Sequence, residues 1–540
     1  MNKGHTHAGV AGRLGERLHV GGRGWAGVVV AFALLASLVA GPAAGAGALP
    51  RAGAATKNLK VIVGSVFEWS AGLDPATNPL SAATAVYNDA IYGDLFLQKP
   101  NGAIAPDLAT GYKSEQGGKV WVVHLRHGVK FQDGTPFNSQ AVAFNIKRDL
   151  LPSNACICDA NFPVASITTP DPYTVTFTLT HPFAPFIAGF IDESPNWIIS
   201  PTALSQMGED KFKLHPVGAG PFKIVSDTVN SKMVLDAYTG YWHKGQPTLK
   251  TLTFTAVGND QAAIAAMNAG DAQAYISLGT LTMLPSVKKK FSVNPVTTNQ
   301  PAIVQLNTMA APFKNIEARR AIYYATDPGP IMKAQFGTTK YADQGLEGPG
   351  GLFYEPKVPG YLTYNLAKAK AAVKALGGLN ITLLTGNTTP SENLGAELKS
   401  EWAQAGINTT LSTLSLTQLV HQYQTNNWQL SLAQSGGFDP ALIPGLAFRF
   451  SSKAPFTGVK DPTLDKLLNE GAGNPNPEAR DKIYHQIFAY VAKQALAPVL
   501  YSAPAAYNVH VHGLAALGLT TTNNPVFDWG NVSFNGKAGV

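Results

Sequence analysis

The chain has 540 residues, 45% hydrophobic and 14% charged, with a formal net charge of +7. That length exceeds one ordinary core, and the apolar share excludes a disordered chain. The charge is not patterned for nucleic acid: there is no Arg-rich helix or basic stripe interleaved with aromatics, and Lys288-Lys289-Lys290 stands alone as a solvated run.

Lys3, Arg13, Arg17 and Arg23 face a single Glu16 before Trp25 to Ala40, a charge-free run of sixteen residues. Ala44-Gly45-Ala46 and Ala46-Gly47-Ala48 both suit a signal peptidase, so residues 1–48 read as a secretory signal and the mature chain should begin close to Gly47 or Leu49. The alternative is a retained anchor, for which the run falls short of the roughly 20 residues that span a bilayer. Residues 1–48 carry four positive and one negative charge, so the mature chain is left at +4.

Lys60 to Val66 reads as a strand leading to Phe67-Glu68-Trp69, Leu73-Asp74-Pro75-Ala76 as a turn, and Ala83 to Leu97 as a helix. Trp121, Val123 and Leu125 alternate with Val122, His124 and Arg126, the pattern of a strand. His127-Gly128 and Asp133-Gly134 then turn the chain around Val129 to Phe131. Asn138 is placed to cap a helix carrying Val142, Ile146 and Leu150 on one stripe until Pro152. Cys156 and Cys158, one residue apart, would make a strained local disulfide, or a metal site only with other ligands. Tyr173 to Leu179 alternates as another strand.

Phe222 to Val225, Met233 to Leu235 and Leu252 to Val257 read as strands. A helix from Gln261 to Asn268, capped by Asp260 and ended by Gly270, precedes the strand Ala274 to Ser277, which gives a β-α-β unit with a parallel sheet. Further on, helices Glu317 to Ala325, Leu366 to Leu376 (capped by Asn365), one capped by Ser391, and Leu416 to Thr425 (capped by Ser415) alternate with strands Asn380 to Thr385, Ile407 to Leu414 and Trp428 to Gln434, again a parallel pattern. The helix Glu478 to Gln494 and the strands Ala497 to Tyr501 and Tyr507 to His512 close the chain.

Leu125-Arg126, Gly128-Val129, Phe131, Asp133-Gly134, Pro136-Phe137, Val142 and Phe144 together resemble a block of the family 5 extracellular solute-binding proteins, the receptors that feed peptide, nickel and related ABC importers. Leu73 to Ala76, Pro106 to Ala109, Gly218 to Phe222, Pro312 to Asn315 with Arg319-Arg320-Ala321, and Asp461 to Leu468 resemble further blocks in the expected order, so the likeness spans nearly everything after residue 57. It implies an α/β chain with a two-lobed periplasmic-binding-protein type II fold and an extra subdomain inserted in the first lobe. Residues 57–85, 197–295 and 502–540 would form lobe 1, 86–196 the inserted subdomain and 296–501 lobe 2, hinged near 294–304 and 496–503. The implied protein is an exported, periplasmic or cell-envelope, monomeric receptor that closes on a small solute and delivers it to an ABC importer permease, without cofactor or metal. No cysteine follows the signal, so the mature chain is expected to be soluble and not lipidated.

The competing class is a secreted hydrolase or other enzyme on the same scaffold. The sequence has no Gly-x-Ser-x-Gly elbow, His-Glu-x-x-His helix or Walker loop. His124, His127, His510 and His512 have no Cys or carboxylate at ligand spacing.

Open parallel sheets bind ligands beyond the carboxyl ends of their strands. This points to Gln434 and the loop Ser435-Gly436-Gly437-Phe438-Asp439, which reads equally as an ordinary turn capped by Asp439. Phe67, Trp69, Trp197, Trp428 and Phe438 offer stacking surfaces or core, and Glu68, Asn196, Gln434 and Asn523 offer hydrogen bonds. By the resemblance, peptide binders present a carboxylate to the peptide α-amine three residues before the Asp-Pro pair; here that residue is Gly436. Di- to pentapeptides are therefore expected to bind weakly or not at all.

Overall fold

The computed structural model describes residues 57–540 other than 65–68, 70, 79–83, 100–102, 152, 155–160, 192, 279–282, 298, 438, 443–444, 455–456, 518–526 and 535–540. The signal segment, Phe67, Glu68, Phe438, Asn523 and the Cys156/Cys158 pair lie outside the described residues.

Strand β1 (Asn58–Gly64) sends Leu59, Val61 and Val63 into one core and Ile62 into another on its opposite face, as a central strand covered on both sides must. Helix α1 (Ala85–Ile91) buries every residue against the first of these cores. A short hairpin, β2 (Phe96–Gln98) and β3 (Ile104–Pro106), leads to β4 (Ala109–Glu115) and β5 (Val120–Leu125). Trp121, Val123 and Leu125 of β5 are buried while His124 is exposed, the alternation of a sheet with one wet face. Asn138 caps α2 (Ser139–Asp149), accepting the Ala141 N–H at 2.9 Å. β6 (Val164–Asp171) and β7 (Thr174–Leu179) complete an antiparallel sheet in the order β4-β5-β7-β6.

Helices α3 (Pro201–Met207) and α4 (Glu209–Phe212) then lead to strands β8 (Phe222–Thr228), β9 (Lys232–Ala237) and β10 (Thr251–Val257). After α5 (Asp260–Ala269) come β11 (Ala274–Leu278), α6 (Leu284–Val287) and β12 (Ser292–Thr297). The next part begins with β13 (Ala302–Leu306), α7 (Ile316–Ala325), α8 (Pro328–Phe336) and α9 (Leu366–Ala375), the last capped by Asn365. It continues through β14 (Leu379–Gly386), α10 (Thr389–Ala403), β15 (Ile407–Leu414), α11 (Leu416–Gln424), β16 (Leu430–Gln434) and α12 (Leu446–Phe450). Ser415 and Gln418 close α11 with a reciprocal capping box. Helices α13 (Pro462–Gly473) and α14 (Pro477–Lys493) precede β17 (Val499–Tyr501) and β18 (Pro504–His510), and β19 (Leu514–Ala515) pairs with β20 (Ser533–Phe534). No helix among the described residues is long and apolar enough to cross a membrane.

Seven strands form one sheet in the order β12-β18-β11-β1-β10-β9-β8, and five form another in the order β15-β14-β16-β13-β17. The chain passes between them twice, through 298–301 and through 502–503. Register puts both passages at one edge of each sheet. In the five-stranded sheet Ala302 pairs with Gln434 and with Tyr501, and β14 runs parallel to β16 and β15, so the ends of all three parallel strands share that edge. In the seven-stranded sheet Leu278 pairs with Ala506, and Gly64 and Val257 end alongside. The carboxyl ends of β1, β10 and β11 thus meet the passages from one side, and those of β14, β15 and β16 from the other.

Four expectations are corrected. The stretch 83–97 is not one helix, because Tyr92 ends α1 and Phe96 opens β2. Asn259, not Asp260, caps α5; Asp260 instead accepts the Tyr275 hydroxyl at 2.5 Å and the Ser277 hydroxyl at 3.2 Å. Ser391 lies inside α10, where its hydroxyl accepts the Gly386 N–H at 2.9 Å and so ties the helix to the end of β14. The five-stranded sheet is also mixed, since β13 runs antiparallel to both β16 and β17.

Candidate ligand site

Beyond Gln434 the loop turns onto the first passage. The Ser435 N–H donates to Pro301 O at 3.0 Å, its hydroxyl donates to Leu346 O at 2.9 Å, and the Asn299 amide donates to Gly437 O. Gly436 sits at φ +85°, and a Cβ there would stand 2.2 Å from Asn299 O and 3.3 Å from Gln300 Cα. Its lack of a side chain is therefore a packing requirement of the passage. Ser435, Gly436 and Gly437 are all buried.

Asp439 is 1% exposed, and its carboxylate accepts two hydrogen bonds from Arg480 of α14, at 2.7 and 2.6 Å, and one from the Ala441 N–H at 3.0 Å. The last bond is the turn contact expected from the sequence; the ion pair was not readable there. This arrangement corrects Asp439 as an acid offered to a ligand, because both of its oxygens are engaged by Arg480 of α14 and one also by the Ala441 N–H. Burial alone would lower the Arg480 pKa, but the charge and hydrogen bonds of Asp439 outweigh it and hold the guanidinium above its ordinary value.

Glu347 is fully buried beside this pair and accepts the Phe353 N–H at 2.8 Å. Burial pushes its carboxyl up to about 8; the Phe353 N–H and Arg480 oppose the rise and Asp439 adds to it. A raised acid binds its proton more tightly in the folded than in the unfolded chain. Stability is then full near pH 4 and falls as pH climbs toward 8. Glu347→Gln keeps an acceptor for Phe353 and removes the titration. Thermal melts should show variant and parent alike near pH 4.5 and the variant more stable near pH 8.5, whereas parallel curves across that range would contradict it.

The described candidates from the first half of the chain have partners in the core. The Trp69 indole donates to Asp227 at 3.0 Å and packs edge-on against Tyr87 at 4.9 Å, and the Trp197 indole donates to Asp89 at 2.9 Å. Asn196 donates to Asp94 at 2.9 Å and to Phe96 O at 3.0 Å, and accepts the Phe96 N–H at 3.0 Å. All three are buried, so stacking or hydrogen bonding to a solute is replaced here by service to the core. Trp428 is buried as well. Phe67 and Glu68 lie outside the described residues.

Gln434, exposed at the end of β16, is the sequence candidate that lines a cavity. This cavity, of about 490 Å³, opens at the edge where the passages leave the five-stranded sheet. Gly386, Thr388 and Ser391 wall it from β14 and α10, Tyr423 from α11, Arg449 from α12, and Ala302 and Tyr501 from the paired ends of β13 and β17. Arg449 and Tyr423 carry no local sequence signal, because only the meeting of α11, α12 and β16 makes them neighbours. No group of three or more His, Cys, Asp or Glu residues among the described residues is placed to hold a metal ion.

The model of the bacterial extracellular solute-binding proteins, family 5 Middle, matches residues 103–455. The glutathione-binding protein GsiB of Salmonella choleraesuis (strain SC-B67) is 29% identical over 463 residues, covering 82% of this chain and 88% of that protein. Among solved structures, AgaA from A. tumefaciens R10 in complex with agropinic acid superposes with a TM-score of 0.73 at 22% identity, over 88% of this chain and 98% of that one. DppA from Helicobacter pylori in complex with the peptide STSA does so at 0.71 and 20% identity, over 89% and 99%. These likenesses give the fold expected from the sequence, a two-lobed type II binding protein, and the relatives are binding proteins and not enzymes. With the family model spanning more than half the sequence and the strand ends of two sheets gathered at one edge, the chain belongs to the bacterial extracellular solute-binding proteins of family 5, which serve ABC importers.

Proposed function

We propose that this chain is a monomeric receptor, exported on its N-terminal signal, that closes two lobes on a small solute without holding it by a free α-amine. Lobe 1 would carry the seven-stranded sheet and lobe 2 the five-stranded sheet, with the four-stranded sheet as the inserted subdomain and the passages at 298–301 and 502–503 as the hinge. Because α1 packs in the core of the seven-stranded sheet, the inserted subdomain is taken to begin after it. Gln434, at the end of β16, would face the solute from lobe 2.

The observation that carries this reading is Gly436. An ammonium needs an acid at the end of β16, and this position has no room for a side chain. A charge-assisted contact of that kind contributes about 1.5–3 kcal/mol, or roughly ten- to a hundredfold in affinity. A relative bears the name glutathione-binding protein, so glutathione and a mixed di- to pentapeptide library are the first titrants, each with its N-acetylated form. Calorimetry should find weak or absent peptide binding and an affinity for any bound compound that acetylation leaves within about threefold. Micromolar binding that is lost on acetylation would show that another acid holds the amine, and the reading would fail.

A further inference from the structure

We infer that the cavity at the ends of β14 and β16 is a carboxylate-binding pocket in which Arg449 recognises an acid group of the solute. This rests on the reading of the same edge as the solute site, and adds the sign and identity of the contact.

The guanidinium of Arg449 is held in place before any ligand arrives. Its Nε donates to Gln434 O at 2.9 Å and its Nη1 reaches Gln305 Oε1 at 3.5 Å, while the Gln305 amide donates back to Arg449 O at 2.9 Å. These bonds fix the stem and orientation of the side chain, the preorganisation that makes an arginine a selective partner for a planar anion. No carboxylate among the described residues lies within 4 Å of it.

Other arginines of the chain show what is unusual here. Arg148 grips Asp74 through two bonds of 2.7 and 2.6 Å, and Arg480 grips Asp439 in the same way. Arg319, also without a carboxylate, turns its donors to the carbonyls of Gln494, Phe313 and Lys314 and serves as a helix tie. Arg449 alone of these four borders the cavity. Burial holds its pKa below the ordinary value, with the neighbouring Tyr423 opposing the shift, so the cation sits partly out of water with no counter-charge. An entering anion removes that penalty.

The walls agree in sign and chemistry. No Asp or Glu stands among the residues that line the cavity; Glu397 of α10 lies outside that lining and accepts from the Gln335 amide at 3.2 Å. Gly436, the position from which an acid would turn this edge negative, is closed to any side chain. Thr388 and Ser391 border the cavity, and their hydroxyls can donate to a carboxylate, that of Ser391 while it still accepts the Gly386 N–H.

The test uses the full chain and a panel of acid–amide pairs: glutathione and its amides, N-acetyl dipeptides and their C-terminal amides, and glutarate with glutaramide. Thermal shift selects the compounds that bind and calorimetry ranks them. The acids should bind, each at least about tenfold more tightly than its amide. Arg449→Met should erase that preference, while Arg449→Lys, which keeps the charge and loses the fork, should retain part of it. A purely structural role for Arg449 would lower the melting temperature without touching the acid–amide ratio. Amides that bind as well as acids, an undiminished preference in Arg449→Met, or a panel in which no acid binds would each overturn the proposal. If Arg449→Met does not fold, the ratios in the parent and in Arg449→Lys decide. The acetylated arms report separately on the amine, so a failed carboxylate pocket and a failed amine-independent reading give different patterns.

Discussion

Asp439→Ala should destabilise the chain by about 3–5 kcal/mol, the cost of leaving one buried partner of an ion pair behind. Arg480 is 7% exposed, donates to Gly471 O at 2.8 Å and lies over the rings of Phe353 and Tyr484 at 5.1 and 5.4 Å, so its guanidinium cannot swing to water without breaking that packing. Glu347 is the nearby group able to respond: without Asp439 it loses a repelling charge beside an unpaired cation, and its raised pKa should fall. The deficit of the variant relative to the parent should therefore shrink as pH rises through the range in which the parent weakens. The double variant Asp439→Ala/Arg480→Met removes the stranded charge and should be more stable than Asp439→Ala alone. Denaturant unfolding of the four species, the parent included, tests this as a cycle. A single-variant loss under about 1 kcal/mol, or a double variant no better than the single, would show that the pair does not hold the loop after β16 to α14.

The fold was legible because its local instructions are dense. Asn138, Asn365 and Ser415 cap the helices they precede, and the alternation around Trp121, Val123 and Leu125 gives both the strand and its buried face. Where local reading erred, a neighbour distant in sequence had the stronger claim. Asp260 leaves the cap to Asn259 because Tyr275 and Ser277 bring it hydroxyls from β11. Ser391 is drawn to the end of β14 by the Gly386 N–H. The site was far less legible for the same reason. Gln434 could be found from the rule about strand ends, but Arg449 becomes notable only when α12 folds back on β16, and Asp439 meets its partner 41 residues further on. Trp69 and Trp197 had the composition of a pocket and the environment of a core, a difference that sequence spacing does not encode.

Gly436→Asp should fail to create an amine site and should destabilise the chain by about 2–4 kcal/mol. At φ +85° an L-residue pays roughly 1–2 kcal/mol in backbone energy, with aspartate among the better tolerated. The remainder comes from contact. The new Cβ would sit 2.2 Å from Asn299 O, a backbone atom that accepts the Gly348 N–H at 2.9 Å and belongs to the first passage between the sheets. Making room means moving the passage, and with it the Asn299 contact to Gly437 and the Ser435 bond to Pro301. Gly436→Ala separates the two effects, since it carries the backbone and Cβ terms without a charge and should lose nearly as much stability. If instead the glycine merely marks an acid lost by drift, Gly436→Asp folds with parental stability and gains peptide binding that acetylation abolishes. Thermal unfolding and peptide calorimetry on both variants distinguish the outcomes: a stable, peptide-binding aspartate variant would mean that the loop can open at 436 and that the amine-independent reading of the site is wrong.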